Sequence, residues 1–102
     1  MKGTSPVSIL HDGYDSVYTI DTNGDLQETY LPVMGGPWYT QDLSTSYGTP
    51  ESITTPTAVF HDGYASVYTV DDSGDLQETY LPTIGDNWTT QDLTANYGAP
   101  PV

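Results

Sequence analysis

Apolar and polar residues along this chain fall into short runs rich in Val, Thr, Tyr and Leu, divided by Gly, Pro and Asp, and no 3.6-residue apolar stripe is present. That pattern predicts strands and almost nothing helical. The runs lie at residues 7–10, 16–20, 26–31 and 38–43, then again at 57–60, 66–70, 76–81 and 88–93. Between the first two, His11-Asp12-Gly13-Tyr14 offers the Asp-Gly pair of a tight hairpin, and Asp21-Thr22-Asn23-Gly24-Asp25 signals another. Pro32 closes the third run, since a proline donates nothing to a β-ladder. A loop through Met34 and Gly35 then leads to the fourth, which Trp38 opens.

The second set of runs repeats the first. Residues 11–50 and 61–100 align without a gap at 27 identical positions of 40, with a period of 50 residues. Such closeness points to recent duplication or deliberate design. Residues 1–50 read as the first repeat and 51–102 as the second, joined by the connector at residues 47–56. Four antiparallel strands per 40 to 50 residues is the spacing of a β-propeller blade. The expected class is therefore all-β, two four-stranded antiparallel blades per chain. Two blades cannot close a circle, because propellers take about 4 to 8, and their outer faces would stay uncovered. Self-association follows: a homotrimer completing a six-bladed ring is expected, with an eight-bladed tetramer as the alternative. An eight-stranded β-sandwich monomer is the other architecture that the strand count allows.

The segment PTAVFHDGYASVYTVDDSGDLQETYLPTIGDNWTTQDL resembles the blade repeat of bacterial propeller lectins related to the Photorhabdus fucose-binding lectins and, more distantly, the tectonin and tachylectin propellers. The resemblance lies in strand order, in Ser-Val-Tyr-Thr of the second strand, in Gly-Asp-Leu-Gln-Glu of the third and in the Trp of the fourth. It covers nearly the whole chain, twice, and implies carbohydrate binding in shallow pockets repeated around a ring, often between adjacent blades. Fungal-type fucose propellers hold their sugar with an Arg and an acidic partner. This chain has no Arg, which leaves the sugar open.

Trp38 and Trp88 follow Gly-containing loops, where an indole can stack on a pyranose while neighbouring side chains take its hydroxyls. The candidate sugar contacts are Trp38, Gln41, Asp42 and Tyr14, with Trp88, Gln91, Asp92 and Tyr64 as their counterparts. A Trp packed between blades with its N–H satisfied is the structural alternative. In the identical runs at 26–30 and 76–80, Gln and Thr share one strand face while Glu and Tyr share the other. Both faces then carry polar atoms, and unpaired burial would cost several kcal/mol, so these groups should bond to Thr40, Gln41 and Asp42 and to Thr90, Gln91 and Asp92.

Composition narrows the classes. One Lys against 14 acids gives a net charge of −13, which makes nucleic acid and anionic membranes unsuitable partners. No run approaches the roughly 18 apolar residues of a spanning helix, and Met1-Lys2-Gly3-Thr4-Ser5 is followed by no apolar export core, so no membrane or export address is expected; the compartment stays open. No cofactor is expected. His11 and His61 are the only histidines and make weak metal candidates, without the short spacing of a zinc site. The Asp-rich turns lack the distant Glu of a calcium loop. Glu28 with Asp42 is the one pair to weigh for glycoside hydrolysis, and its repetition in both halves argues instead for repeated weak binding without catalysis. A self-assembling scaffold that binds no ligand is the alternative function.

Overall fold

The computed structural model describes residues 6–11, 13–61, 63–83 and 87–100. It holds two four-stranded antiparallel sheets, each in simple meander order. The first is β1 (Val7–His11), β2 (Tyr14–Ile20), β3 (Leu26–Leu31) and β4 (Tyr39–Asp42), followed by a one-turn helix, α1 (Leu43–Tyr47). The second is β5 (Thr57–His61), β6 (Tyr64–Val70), β7 (Leu76–Leu81) and β8 (Thr89–Asp92), followed by α2 (Leu93–Tyr97). These are two propeller blades. β1 and β5 run closest to each other, and the sheets fan outward from that pair.

The strands extend or shorten what the runs predict. β2 begins at Tyr14 rather than residue 16, because His11 and Tyr14 pair directly across the two-residue turn. Asp12 and Asp62 of those turns lie outside the described residues, as do residues 1–5. Trp38 and Trp88 precede the fourth strands, which start at Tyr39 and Thr89. The two helices are the main departure from an all-strand reading. Five residues are too few to show a 3.6-residue stripe, but their ends are marked: Asp42 accepts from Thr45 N at 2.8 Å as N-cap, and Gly48 closes α1 with φ 77°. Each helix then docks on its own sheet through a hydroxyl. Ser44 Oγ accepts the N–H of Leu26 at 2.9 Å, and Thr94 Oγ1 does the same for Leu76.

The Asp-rich turns are hairpin chemistry. Asp21 Oδ1 accepts from the N–H groups of Asn23 and Asp25 at 2.8 and 3.0 Å, and Asp71 repeats this with Ser73 and Asp75. Gly24 sits at φ 91°, with the connector so close that an added Cβ would lie 3.1 Å from Cβ of Glu51. Only glycine suits that place. The connector ties the blades together there: Ser52 N donates to Gly24 O at 2.8 Å and Ile53 N to Val70 O at 3.0 Å.

Each sheet has two faces. The front carries Ser16, Tyr18, Ile20, Leu26, Glu28 and Tyr30 of the first blade, and the back carries Val17, Gln27, Thr29 and Leu31, with the same split 50 residues on. The core forms where the front of blade one meets the back of blade two: Tyr18, Ile20, Leu26 and Leu43 against Ala65, Val67, Leu81 and Trp88. Tyr18 and Trp88 meet edge to face with ring centroids 5.9 Å apart. Thr49 Oγ1, from the end of blade one, lies 3.0 Å from Thr90 Oγ1 and accepts from Thr79 at 3.4 Å. The described residues measure 41 × 31 × 20 Å.

Candidate functional site

Register decides which polar side chains can act together. Glu28 stands opposite Gln41, and Gln27 opposite Asp42, so adjacent residues of β4 serve opposite faces. On the front, Gln41 Nε2 donates to Glu28 Oε1 at 2.7 Å and Tyr18 Oη donates to Oε2 at 3.1 Å. On the back, Gln27 Nε2 bridges Asp21 and Asp42 at 2.9 and 3.0 Å, and Thr29 meets Thr40 at 3.0 Å. Blade two repeats the arrangement, with Gln91 to Glu78 at 2.8 Å and Gln77 to Asp71 and Asp92 at 2.9 and 3.1 Å. The anticipated pairing of the third and fourth strands is thus present in both blades. Glu28 and Asp42 lie on opposite faces, so they cannot flank one glycosidic bond.

A cavity of about 420 Å³ opens on the front of blade two, lined by His61, Tyr64, Glu78, Tyr80, Gln91 and Tyr97. It falls within the size of small-molecule sites, and its make-up is the usual one, aromatic walls with a few convergent polar groups. Tyr64 and Tyr80 are tilted at 6.0 Å, His61 stacks on Tyr64 at 6.4 Å, and His61 Nε2 lies 3.0 Å from Ser66 Oγ. The carboxylate of Glu78 and the amide of Gln91 form the polar end. In blade one the corresponding Tyr14 and Tyr30 stack at 5.9 Å, and Tyr39 adds a third ring at 5.7 Å from Tyr30. Blade two has Thr89 there. Tyr14, Tyr30, Gln41 and Tyr47 remain half-buried with the next blade already seated, while Glu28 is buried. A neighbouring blade therefore covers the floor of this cleft and leaves its tyrosine rim accessible.

The phenols respond to this setting. Burial, and then the Glu28 carboxylate, push Tyr18 and Tyr30 above the ordinary tyrosine range, and burial with Glu78 does so for Tyr68. These hydroxyls stay protonated at neutral pH, and those of Tyr18 and Tyr68 donate to Glu28 and Glu78 at 3.1 and 3.4 Å.

Of the sequence-derived candidates, the fold brings Tyr64 and Gln91 into one cleft, and the register gives Tyr14 and Gln41 the matching places in blade one. It sends Asp42 and Asp92 to the other face, where each caps a helix and accepts from a glutamine. Trp88 is buried between the blades, whereas Trp38, its counterpart, is 51% exposed. Tyr80 and Glu78 line the cleft by the same period-two logic that places Gln91, while Tyr97 comes from the unforeseen helix.

Among the described residues, the groups able to share a cation are two aspartate triads, Asp21, Asp25 and Asp42, and Asp71, Asp75 and Asp92, each with ligand atoms within 4.8 Å. Neither includes a histidine. In the first, a hydrogen bond to Asp42, then burial and the nearby carboxylates, push Asp25 up to about 6. Burial works against Asp42 ionising, but hydrogen bonds from the Thr45 N–H, Asp25 and Gln27 outweigh it and hold Asp42 below the usual range. Below about pH 6 the pair therefore holds one proton between its two carboxyls. No helix among the described residues is long and apolar enough to cross a membrane.

No protein-family model matches the chain, and no curated protein matches it. Among solved structures, the fold is similar to that of a fucose lectin from Kordia zhangzhouensis, determined in complex with methyl-fucoside. The match has a TM-score of 0.60 at 21% identity and covers 89% of this chain. This chain spans 64% of the length of that lectin.

Proposed function

We propose that the chain is a non-catalytic, lectin-like carbohydrate-binding module whose sites are the repeated tyrosine-lined clefts on the blade fronts. The observation that carries this reading is the cleft itself: phenol rings around a carboxylate and an amide, on a fold similar to that of a fucose lectin. Ring faces of Tyr64 and Tyr80 suit the C–H side of a pyranose, while Glu78 accepts from and Gln91 donates to its hydroxyls. A sugar is neutral, so the −13 charge does not oppose it. Among the described residues that line the cleft, Glu78 is the one carboxylate, whereas a glycosidase uses two differently placed carboxyls. Weak binding at equivalent clefts gains strength by avidity when several are presented together.

The test uses Tyr64 and Gln91 rather than tryptophan, because Trp88 is committed to packing. Wild-type protein is screened on a glycan array, and hits are titrated calorimetrically against Tyr14→Ala/Tyr64→Ala and Gln41→Ala/Gln91→Ala variants. Binding that falls at least tenfold in both supports the assignment. An array with no signal overturns the lectin reading and leaves the self-assembling scaffold; binding untouched by both variants moves the site elsewhere.

A further inference from the structure

The interface inside the chain has two complementary halves, and the repeat supplies a second, unused copy of each. Blade one presents its front to blade two; the front of blade two and the back of blade one face solvent. Residues equivalent by the 50-residue period differ in burial accordingly. Tyr18 and Leu43 are fully buried, whereas Tyr68 and Leu93 are only half-buried. Tyr47 packs against the core, while Tyr97 is 72% exposed. Trp88 is 5% exposed against 51% for Trp38. Near-identical sequences do not prefer different environments; one blade has a neighbour where the other lacks it.

We infer that a second copy of this chain docks head to tail on this one, the back of its first blade on the front of the other's second blade, so that Trp38 of one copy packs on Tyr68 of the next as Trp88 packs on Tyr18. The occupant is fixed by continuity with the internal interface, which already shows what surface each open face accepts. The two open faces lie on opposite sides of the chain, so the contact is heterologous, and repetition closes a ring of an even number of blades. A docked copy also completes the front cleft of blade two, covering Glu78 as Glu28 is covered and leaving the tyrosine rim open. This inference stands without any bound sugar.

Two substitutions make the contact between chains weaker than the one within. Ala65, fully buried at the internal interface, is replaced on the open back by exposed Asp15. Thr49, which bonds Thr79 and Thr90, is replaced at the other end by Ala99. Assembly is therefore concentration-dependent, and salt strengthens it by screening the acidic surface.

The test pairs Trp38→Lys, which spoils the back of blade one, with Tyr97→Lys, which spoils the front of blade two. Trp38 is half exposed and Tyr97 largely so, and neither belongs to the buried core; circular dichroism matching wild type confirms folding. In sedimentation velocity without sugar, each variant alone should run as a monomer and their equimolar mixture as a 1:1 dimer, since each retains the half the other has lost. Asp15→Ala should lower the concentration for half-assembly of the wild-type ring roughly tenfold. A mixture that stays monomeric, or single variants that assemble like wild type, would overturn the inference, as would dimers of either variant alone.

Discussion

Replacing Trp88 by Ala should destabilise the chain by about 4 kcal/mol, and the same change at Trp38 by less than half of that in dilute solution. A Trp side chain presents roughly 200 Å². Trp88 is 5% exposed, so nearly all of that is withdrawn from water, and at about 25 cal/mol per Å² the loss is on the order of 5 kcal/mol before the unfolded chain's own compaction reduces it. The edge contact with Tyr18 adds about 1 kcal/mol, and truncations of buried Trp commonly cost about 3–5 kcal/mol. Trp38 is 51% exposed, which halves the area at stake to about 2 kcal/mol or less. Urea titrations at low micromolar concentration measure both, with Trp88→Phe included because a small domain tolerates few 4 kcal/mol losses. Phe retains an edge on Tyr18 and should cost about 1–2 kcal/mol. Equal losses at positions 38 and 88 in a solution shown to be monomeric would refute the reasoning, as would a Trp88→Ala cost below about 1 kcal/mol.

Other consequences follow from single groups. Thr69 Oγ1 is buried with no hydrogen-bond partner among the described residues, so Thr69→Val, which keeps the shape, should raise stability by about 1 kcal/mol in the same titration. The raised pKa of Asp25 contributes stability that is fully present below its ordinary value of 3.8 and lost as pH rises through about 6, while the lowered pKa of Asp42 contributes above 3.8 and is lost in stronger acid. Melting temperature should therefore fall between about pH 4 and 6, and Asp25→Asn, whose amide can donate to Asp42 at any pH, should flatten that fall; an unchanged slope contradicts the shared proton. Ala99→Thr should restore between chains the hydroxyl contact that Thr49 makes within one, lowering the assembly concentration several-fold by sedimentation, and no change would place residue 99 away from the contact.

Strand order and the polar ladder were legible in the sequence because both depend on a period of two. The turn signals at Asp21 and Asp71 cut the chain in the right places, and the alternation of Gln27, Glu28 and Thr29 foretold partners on the adjacent strand. The same period, carried one strand further, separates Gln41 from Asp42, which the site candidates had grouped together. The helices were hidden by their length, although Asp42 and Gly48 mark both ends of α1. Trp38 and Trp88 show what no local pattern contains: near-identical repeats give one exposed and one buried indole, because burial depends on which blade has a neighbour. Tyr97 is open for the same reason.

On that ground we propose that the chain is a fraction of a propeller rather than a finished unit. Native mass spectrometry of the unmodified chain, over a range of concentrations, tests it most directly. The expected result is a discrete closed species at a small whole-number multiple of the 11.1 kDa chain, three copies for a six-bladed ring, dissociating on dilution without stable larger aggregates. A chain that stays monomeric at tens of micromolar would contradict it.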